Sequence, residues 1–435
     1  MAISPPRINY DELIVEDESG FWVNGRVYND PAVFEDELDK IFTRGWVYVG
    51  HESEVSEPGD YRTRWIGKQP VIMTRDEDGQ VHLLLNRCRH EGATVCQEEG
   101  GNSSYFRCAY HGWTYSNKGD LTGVSFPVGY DNKPPYEKLG LIKVPKVGIH
   151  RGFVFGCLNP QGQEFHEYLG RAKDYIDRYC DMSPTGEVEA RAGRQGVVVH
   201  ANWKGQLQNL TDDYHVHITH ATGIRRRGRQ PGSFTRWNDR PSDMRDLGDG
   251  HTILDRFNAN RRMGDEVNEN VLGSHGVLDQ DVIEANARRL GSREQAEWIA
   301  RSGPPHIMVF PNLMLLWNAF RIIQPLEYNK CYVYYYPLFL KGASDEINER
   351  RLRAHENGFG PAGFINPDDG DMQTRQQIGS YARVDEEKFM WLTRGYHEER
   401  MEPDEFGVPA LTSPMMNETS SRGIWRHYKK VMSQP

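Results

Sequence analysis

Apolar and polar positions change rhythm along the chain. Residues Pro31–Phe42 (PAVFEDELDKIF) read as an amphipathic helix, with Asp30 able to cap it and Pro31 suited to its first turn. From Trp46 to about Pro160 the pattern shortens to β-rich runs: Tyr61–Ile66, Pro70–Thr74, Val81–Leu85, Tyr105–Arg107, Gly112–Tyr115 and Gly152–Leu158. Turns such as Asp78-Gly79 and Lys118-Gly119-Asp120 separate them, which predicts an all-β module. Beyond it helical patterns dominate, at Glu164–Tyr179, Trp203–Tyr214, Asp281–Ala300, Ser344–Asn357 and Glu386–Glu399. Strand-like runs lie among them at Gly196–His200, Ile307–Phe310 and Cys331–Leu338, and the segment Ala221–Val277 reads as loop-heavy. The expected fold is α+β. An all-β domain over residues 44–160 is inserted into a larger domain, residues 1–43 and 161–435, whose antiparallel sheet is covered by helices.

Composition narrows the function. A chain of 435 residues calls for two or three domains. An apolar fraction of 37% and a charged fraction of 26% suit a soluble globular protein. A net charge of −10 argues against a general nucleic-acid binder, which needs a basic face. The first residues lack the basic and apolar regions of a signal peptide, and no apolar run approaches the roughly 20 residues of a membrane span, so a cytoplasmic location is expected. Six cysteines in so long a chain are not a disulfide framework, and cysteines clustered with histidines suggest metal.

Two such pairs occur, Cys88-Arg-His90 and Cys108-Ala-Tyr-His111, with seventeen residues between them. A Rieske [2Fe-2S] centre has two thiolates on one iron and two imidazoles on the other, so one Cys and one His from each of two loops would clamp it. A zinc site of Cys₂His₂ type is the alternative, but it favours paired cysteines followed by paired histidines. Cys96, between the pairs, is expected to be packed rather than ligating.

A second constellation lies in Asn202–His220 (NWKGQLQNLTDDYHVHITH). Trp203, Leu207, Leu210, Tyr214 and Ile218 recur at helical spacing, while the polar side carries Gln208, Asn209, Asp212, Asp213, His215, His217 and His220. On an ideal helix His217 and His220 share a face, whereas His215 and His220 meet only if the helix ends or bulges between them. A surface histidine-rich turn is the plain alternative. No His-Glu-x-x-His occurs, which leaves a zinc metalloprotease unsupported.

From about Asp30 to Asp371 the chain resembles the catalytic α subunits of Rieske non-heme iron ring-hydroxylating oxygenases. The spans WVYVGHESEV, GKQPVIMTR, YHGWTYSNKGDL and GFVFGCLNP resemble the benzoate and anthranilate dioxygenase branch. The family pattern of Asn-Trp-Lys, an Asn and Asp-x-Tyr-His-x₄-His matches Asn202-Trp203-Lys204, Asn209, Asp212-Asp213-Tyr214-His215 and His220. The resemblance implies that His215 and His220 bind a mononuclear iron and His217 does not. It places the third ligand after Gly360-Pro-Ala-Gly363, at Asp369 with Asp368 as the alternative. Two histidines and one carboxylate leave positions open for O₂ and substrate. Two positions depart from the family: Gln208 stands where Glu is frequent, and Asn366-Pro367 replace a Glu common shortly before the ligand Asp. The string Gly358-Phe-Gly360-Pro-Ala-Gly363 fits a bare dinucleotide pattern, but it follows a charged helical segment rather than a buried strand, so no nicotinamide site is expected.

The resemblance also implies a division of labour. Electrons from NAD(P)H arrive through a separate reductase, with or without a ferredoxin. Asp212, or Asp213 beside it, accepts hydrogen bonds from His215 and from His111 of the partner subunit. An α₃β₃ assembly with a small β subunit is expected, with α₃ as the alternative. The reaction expected is cis-dihydroxylation of an aromatic ring, an aromatic carboxylate being the narrower option. Monohydroxylation, O- or N-demethylation, a pure electron carrier and a zinc interaction module are the competing readings. The pocket is expected around Asn209, Leu210, Asn312, Phe359 and Ile365, and the run Arg225-Arg-Arg227-Gly-Arg229 either binds a carboxylate, meets an acidic partner or is a solvated loop.

Overall fold

The computed structural model describes residues 8–226, 243–255, 280–382 and 390–435. The chain forms two compact units. One comprises Phe42–Phe165 with Glu189–Arg191, and the other Met1–Ile41, His166–Val188 and Ala192–Pro435.

The Phe42–Phe165 unit holds three antiparallel sheets. Strands Val81–Leu85, Gln69–Arg75, Asp60–Ile66 and Gly100–Asn102 neighbour one another in that order. Thr114–Ser116 is central between Tyr105–Arg107 and Leu121–Gly123, and Phe153–Cys157 is central between Lys146–His150 and Trp46–His51. The second sheet shares a core with the first through Ile72, Leu84, Phe106, Trp113, Tyr115 and Leu121. Cys88, Cys96 and Cys108 are buried in the same core. Cys96 is therefore packed, as its position between the two Cys–His pairs suggests.

The larger unit is built on a sheet in which every described pairing is antiparallel. Its order is Gln195–Val199, Lys330–Pro337, Ala319–Glu327, Leu313–Leu316, His306–Val309, His251–Asp255, Asp243–Gly248, Pro409–Pro414, Arg400–Pro403. The central strands are the most buried, Leu313–Leu316 and His251–Asp255 throughout. Helices Trp203–Leu210, Asp345–Gly358 and Asn366–Gly379 pack on strands at one end of the sheet, and Thr419–Met432 runs along Asp243–Gly248 and His251–Asp255.

One buried carboxylate ties the first of these helices down. Glu37, at the end of the Pro31–Glu37 helix, accepts hydrogen bonds from Trp203 Nε1 (2.7 Å), Lys204 Nζ (2.5 Å) and the Tyr428 hydroxyl (2.5 Å). The preceding Asn202 caps the helix through Oδ1, which accepts from the Lys204 N–H, while its Nδ2 donates to the Tyr328 carbonyl. The Asn-Trp-Lys stretch is thus an anchor: each residue spends its polar group on fixing the helix start, and the aromatic and alkyl parts fill the core.

Several expected elements differ. The helix expected over Trp203–Tyr214 ends at Leu210. The stretch Glu164–Tyr179 is two helices, Phe165–Leu169 and Ala172–Cys180. Asp281–Ala300 likewise breaks, because Gly291 adopts φ +71° and Ser292 caps a new helix through its hydroxyl. Within Glu386–Glu399 the described residues form the strand Met390–Trp391 and the 3₁₀ turn Tyr396–Glu398, not a helix. The segment read as loop-heavy contains the helix Ala221–Arg226 and two strands of the large sheet joined by a turn at Asp249-Gly250, while its residues 227–242 and 256–277 lie outside the described ones.

Candidate metal centres

The two Cys–His pairs sit on two loops of one design. In the first, the Cys88 N–H donates to the Ala93 carbonyl (2.8 Å) and the Gly92 N–H to the Cys88 carbonyl (3.1 Å). In the second, the Cys108 N–H donates to the Trp113 carbonyl (2.8 Å) and the Gly112 N–H to the Cys108 carbonyl (3.0 Å). Both loops close on a left-handed glycine, Gly92 at φ +81° and Gly112 at φ +69°, a conformation that disfavours other residues. At Gly112 a Cβ would also crowd the Ser125 hydroxyl.

The loops bring their donors together. Cys88 and Cys108 are buried and unbridged, whereas the imidazoles lie towards the surface, His90 half-buried and His111 exposed. Their Nδ1 atoms face each other at 3.1 Å, close enough to share one metal, and the His90 ring stacks on Trp113. The Tyr115 hydroxyl accepts a hydrogen bond from the Arg89 N–H (3.0 Å) and lies 3.2 Å from Cys88 Sγ. Its oxygen being engaged, its own proton is free for the sulfur. Burial, then the contact with Cys88, push the Tyr115 pKa up, so the phenol stays protonated. Two shielded sulfurs, two converging nitrogens and a donor aimed at one sulfur fit a Rieske cluster.

The second centre lies in the larger unit. After Leu210 the chain leaves the helix through Thr211 and re-enters a single turn, Val216–Thr219, flanked by His215 and His220. That break puts the two rings 5.3 Å apart, centroid to centroid. Asp369, in the first turn of the Asn366–Gly379 helix, closes the group. Donor atoms of His215, His220 and Asp369 all lie within 4.8 Å of one another. Asp369 Oδ1 is 3.0 Å from His220 Nε2 and 3.6 Å from His215 Nε2. His217 is buried and is not in this group; the ideal-helix geometry that favoured it does not apply once the helix has ended.

Neighbouring polar groups orient the donors. Asp212 Oδ2 lies 3.1 Å from His215 Nδ1, and Asp368 Oδ2 lies 3.5 Å from His220 Nδ1. Each imidazole therefore turns Nε2 inwards with a carboxylate behind it, the arrangement that fixes ring and tautomer in metal sites. Of the alternatives, Asp212 rather than Asp213 meets His215, and Asp369 rather than Asp368 meets both Nε2 atoms. Asn209 Nδ2 donates to Asp369 Oδ1 (3.0 Å) and is 3.4 Å from His215 Nε2. Burial opposes ionisation of Asp369, but its bond to His220 and the charges of His220, His215 and Arg321 hold its pKa below the usual value. Two imidazoles and an ionised carboxylate, each oriented from behind, fit a divalent iron with open positions.

Around this group the other expected residues are distributed unevenly. Phe359 and Ile365 bound the connection between the Asp345–Gly358 and Asn366–Gly379 helices, and Leu210 ends its helix. Asn312 is buried in the turn between strands His306–Val309 and Leu313–Leu316. Gln208 accepts from the Tyr28 hydroxyl and is not among the triad's donors. Asn366 holds the Phe359 carbonyl and accepts from Arg321, a residue that sequence reasoning passed over because a lone arginine in a strand carries no motif. Arg225 is exposed, and Arg227 and Arg229 lie outside the described residues. Gly358–Gly363 follow a helix, not a strand, which removes the dinucleotide pattern.

Comparison with known proteins accords with both centres. Residues 45–131 match the Rieske [2Fe-2S] domain, and residues 165–433 match the ring hydroxylating alpha subunit catalytic domain. The chain is 32% identical over 384 residues to the anthranilate 1,2-dioxygenase large subunit of Acinetobacter baylyi, covering 86% of this chain and 80% of that one. It is also 32% identical over 445 residues to the large oxygenase component of the naphthalene 1,2-dioxygenase system of Pseudomonas putida, covering 98% and 95%. A crystal structure of a naphthalene 1,2-dioxygenase variant bound to phenanthrene superposes with a TM-score of 0.83 at 27% identity, covering 98% of this chain and 96% of that one. No described helix is long and apolar enough to cross a membrane. The chain belongs to the ring-hydroxylating oxygenase α-subunit family and carries a Rieske [2Fe-2S] domain ahead of its non-heme iron catalytic domain.

Proposed function

We propose that this chain is the terminal oxygenase subunit of an aromatic ring dioxygenase. In this reading Cys88, His90, Cys108 and His111 hold the [2Fe-2S] cluster, and His215, His220 and Asp369 hold the iron. The observation that carries it is the convergence of His215, His220 and Asp369, with carboxylates behind both rings. When bound, the cluster supplies electrons singly and the iron activates O₂ beside an aromatic ring, which leaves as a cis-dihydrodiol.

The chain's own residues divide the remaining work. Asp212 orients His215 from Nδ1, and as a partly exposed carboxylate it can also meet His111 of the partner subunit. Asn209 holds Asp369 through one hydrogen bond, which limits that carboxylate to the metal-facing position. A separate reductase, with or without a ferredoxin, supplies the electrons that reach this centre. An α₃β₃ assembly with a small β subunit completes the proposal.

The test is anaerobic reduction followed by one turnover under ¹⁸O₂ with a panel of aromatic hydrocarbons and acids. Two labelled oxygens in a cis-diol are expected. One label, or release of formaldehyde, moves the chemistry to monooxygenation or demethylation. Asp212→Ala is expected to keep both metal centres and lose most turnover; full activity with normal iron sinks the bridging role.

A further inference from the structure

The Asn366–Gly379 helix, which carries Asp369, is amphipathic in the reverse sense. Its buried residues are Asn366, Asp369, Gln373 and Gln377, whereas Met372 and Ile378 are exposed. A helix docked on a core normally turns its apolar side inwards. This one is held by polar contacts. Three of them reach a single face of a second helix, Trp203–Leu210, and its cap Asn202. Gln377 Oε1 accepts from the Asn202 N–H (2.8 Å), Gln373 Oε1 accepts from Gln206 Nε2, and Asp369 Oδ1 accepts from Asn209 Nδ2 (3.0 Å). Positions 202, 206 and 209 rise as 377, 373 and 369 fall, so the two helices run antiparallel with one rung per turn. The last rung is the iron-binding carboxylate itself.

Such a ladder is a poor source of stability. Replacing both members of a buried hydrogen-bonded pair by apolar groups of similar shape is close to neutral. This ladder is also incompletely satisfied, since Gln373 Nε2 and Asn209 Oδ1 are buried with no hydrogen-bond partner among the described residues. Leucines at 206 and 373 would fill the same space without that cost. What amides supply and leucines do not is a fixed register: each hydrogen bond is made at one axial offset, whereas apolar faces slide. A slip of one residue moves a helix by about 1.5 Å along its axis. That is half of the 3.0 Å separating Asp369 Oδ1 from His220 Nε2, so the register of this helix decides whether the three donors converge.

We propose that Gln206 and Gln373 are positioning residues for the iron site, their rung setting where Asp369 stands against His215 and His220. The inference rests on the reading of the iron site above and deepens it. The neighbouring rung backs them, because Gln377 also donates through Nε2 to the Tyr28 carbonyl (3.1 Å) and so ties the far end of the helix to the core. The triad is thus brought together by the fold before a metal arrives, and the two glutamines act on the iron only through Asp369.

The experiment compares Gln206→Leu, Gln373→Leu and the double variant as anaerobic holoenzymes. Ferrous iron at the mononuclear site is titrated against a chelator, with the visible spectrum of the cluster counting folded protein. Each single variant leaves one amide buried alone and is expected to lose stability and iron affinity together. The double variant is expected to recover a urea midpoint close to that of the unmodified protein, yet to hold iron about 10-fold or more weakly. Iron affinity that recovers along with stability overturns the proposal, because packing alone predicts it. A second measurement needs no variant to fold. In the unmodified protein, removing the mononuclear iron is expected to raise hydrogen exchange in Gln373–Gly379 no more than in the buried strand Leu313–Leu316. A larger rise in the helix overturns the proposal, since the metal then orders the helix. The two readings fail differently. An unmodified protein that takes up no ferrous iron beyond the cluster removes the triad assignment and the positioning role with it, whereas equal iron affinity in the unmodified protein and the double variant removes the positioning role alone.

Discussion

At the scale of single residues, the arrangement makes electronic and ionic predictions. Tyr115 spends its oxygen on the Arg89 N–H and its proton on Cys88 Sγ. A hydrogen bond to a cluster sulfur favours the reduced state, so Tyr115→Phe is expected to lower the cluster's reduction potential without loss of acid-labile sulfide. An unchanged midpoint in a spectroelectrochemical titration rules that contact out. His251 is fully enclosed, with Nε2–H donating to the Tyr168 carbonyl (2.7 Å) and Nδ1 accepting from the Phe310 N–H (3.1 Å). A neutral ring satisfies both bonds, and a second proton on Nδ1 breaks one. Burial accordingly lowers its pKa to about 4. Between about pH 6.5 and pH 4 the unfolded chain binds a proton that the native chain refuses, so stability falls as pH falls through that window. At pH 5.0 this one group costs about 2 kcal/mol relative to pH 7.5. Urea midpoints for the protein and for His251→Gln at the two pH values check it, the variant losing less on acidification. None of this was legible in the sequence, where a histidine or tyrosine in a strand reads as ordinary core. The four Cys–His residues were legible because their types and spacing have few other uses.

At the scale of elements, the helix Trp203–Leu210 connects the core to the iron site. Its start is locked by Glu37, and its end releases the turn that carries His215 and His220. Periodicity suggested a helix running on to Tyr214, since Tyr214 and Ile218 keep the apolar spacing. The structure spends that spacing differently: Tyr214 and Ile218 are exposed, and the chain turns at Thr211 so that the two imidazoles converge. Only the resemblance, not the pattern, pointed to His215. Strands were more faithful where they were short and flanked by turns, as at Val81–Leu85 and Tyr105–Arg107. They were missed where charges interrupt them, as in Asp243–Gly248 (DMRDLG), whose Arg245 is buried against Asp243 and Thr412. The anchor makes its own prediction. Glu37→Gln leaves the Lys204 ammonium buried and uncompensated, an expected loss of about 3–5 kcal/mol. Adding Lys204→Met should recover part of it, a coupling that a double-mutant cycle in denaturant will read.

At the scale of the whole chain, the iron site joins residues that lie far apart in sequence. His215 and His220 come from one turn and Asp369 from a helix about 150 positions later, so bound metal closes a long loop of the larger unit. Selective chelation of the mononuclear iron is expected to lower the thermal transition of that unit, by about 4 kcal/mol of stabilisation at a thousandfold ligand excess over Kd. The visible spectrum of the cluster should persist, because its ligands belong to the other unit. A transition indifferent to chelation removes the triad as the metal site. The α+β class and the all-β insert were readable from pattern alone, whereas the order of the large sheet was not, since it depends on pairings between segments far apart in sequence, such as Asp243–Gly248 with Pro409–Pro414 and Gln195–Val199 with Lys330–Pro337. The twin cluster loops carry a wider consequence. Each runs from its cysteine to a glycine four places on, and the histidine stands third in one and fourth in the other. The interval that matters for recognising such a site in an unfamiliar genome is therefore cysteine to glycine, twice over. Inside that frame the histidine shifts by one place from one loop to the other, and both positions bring an imidazole to the same centre.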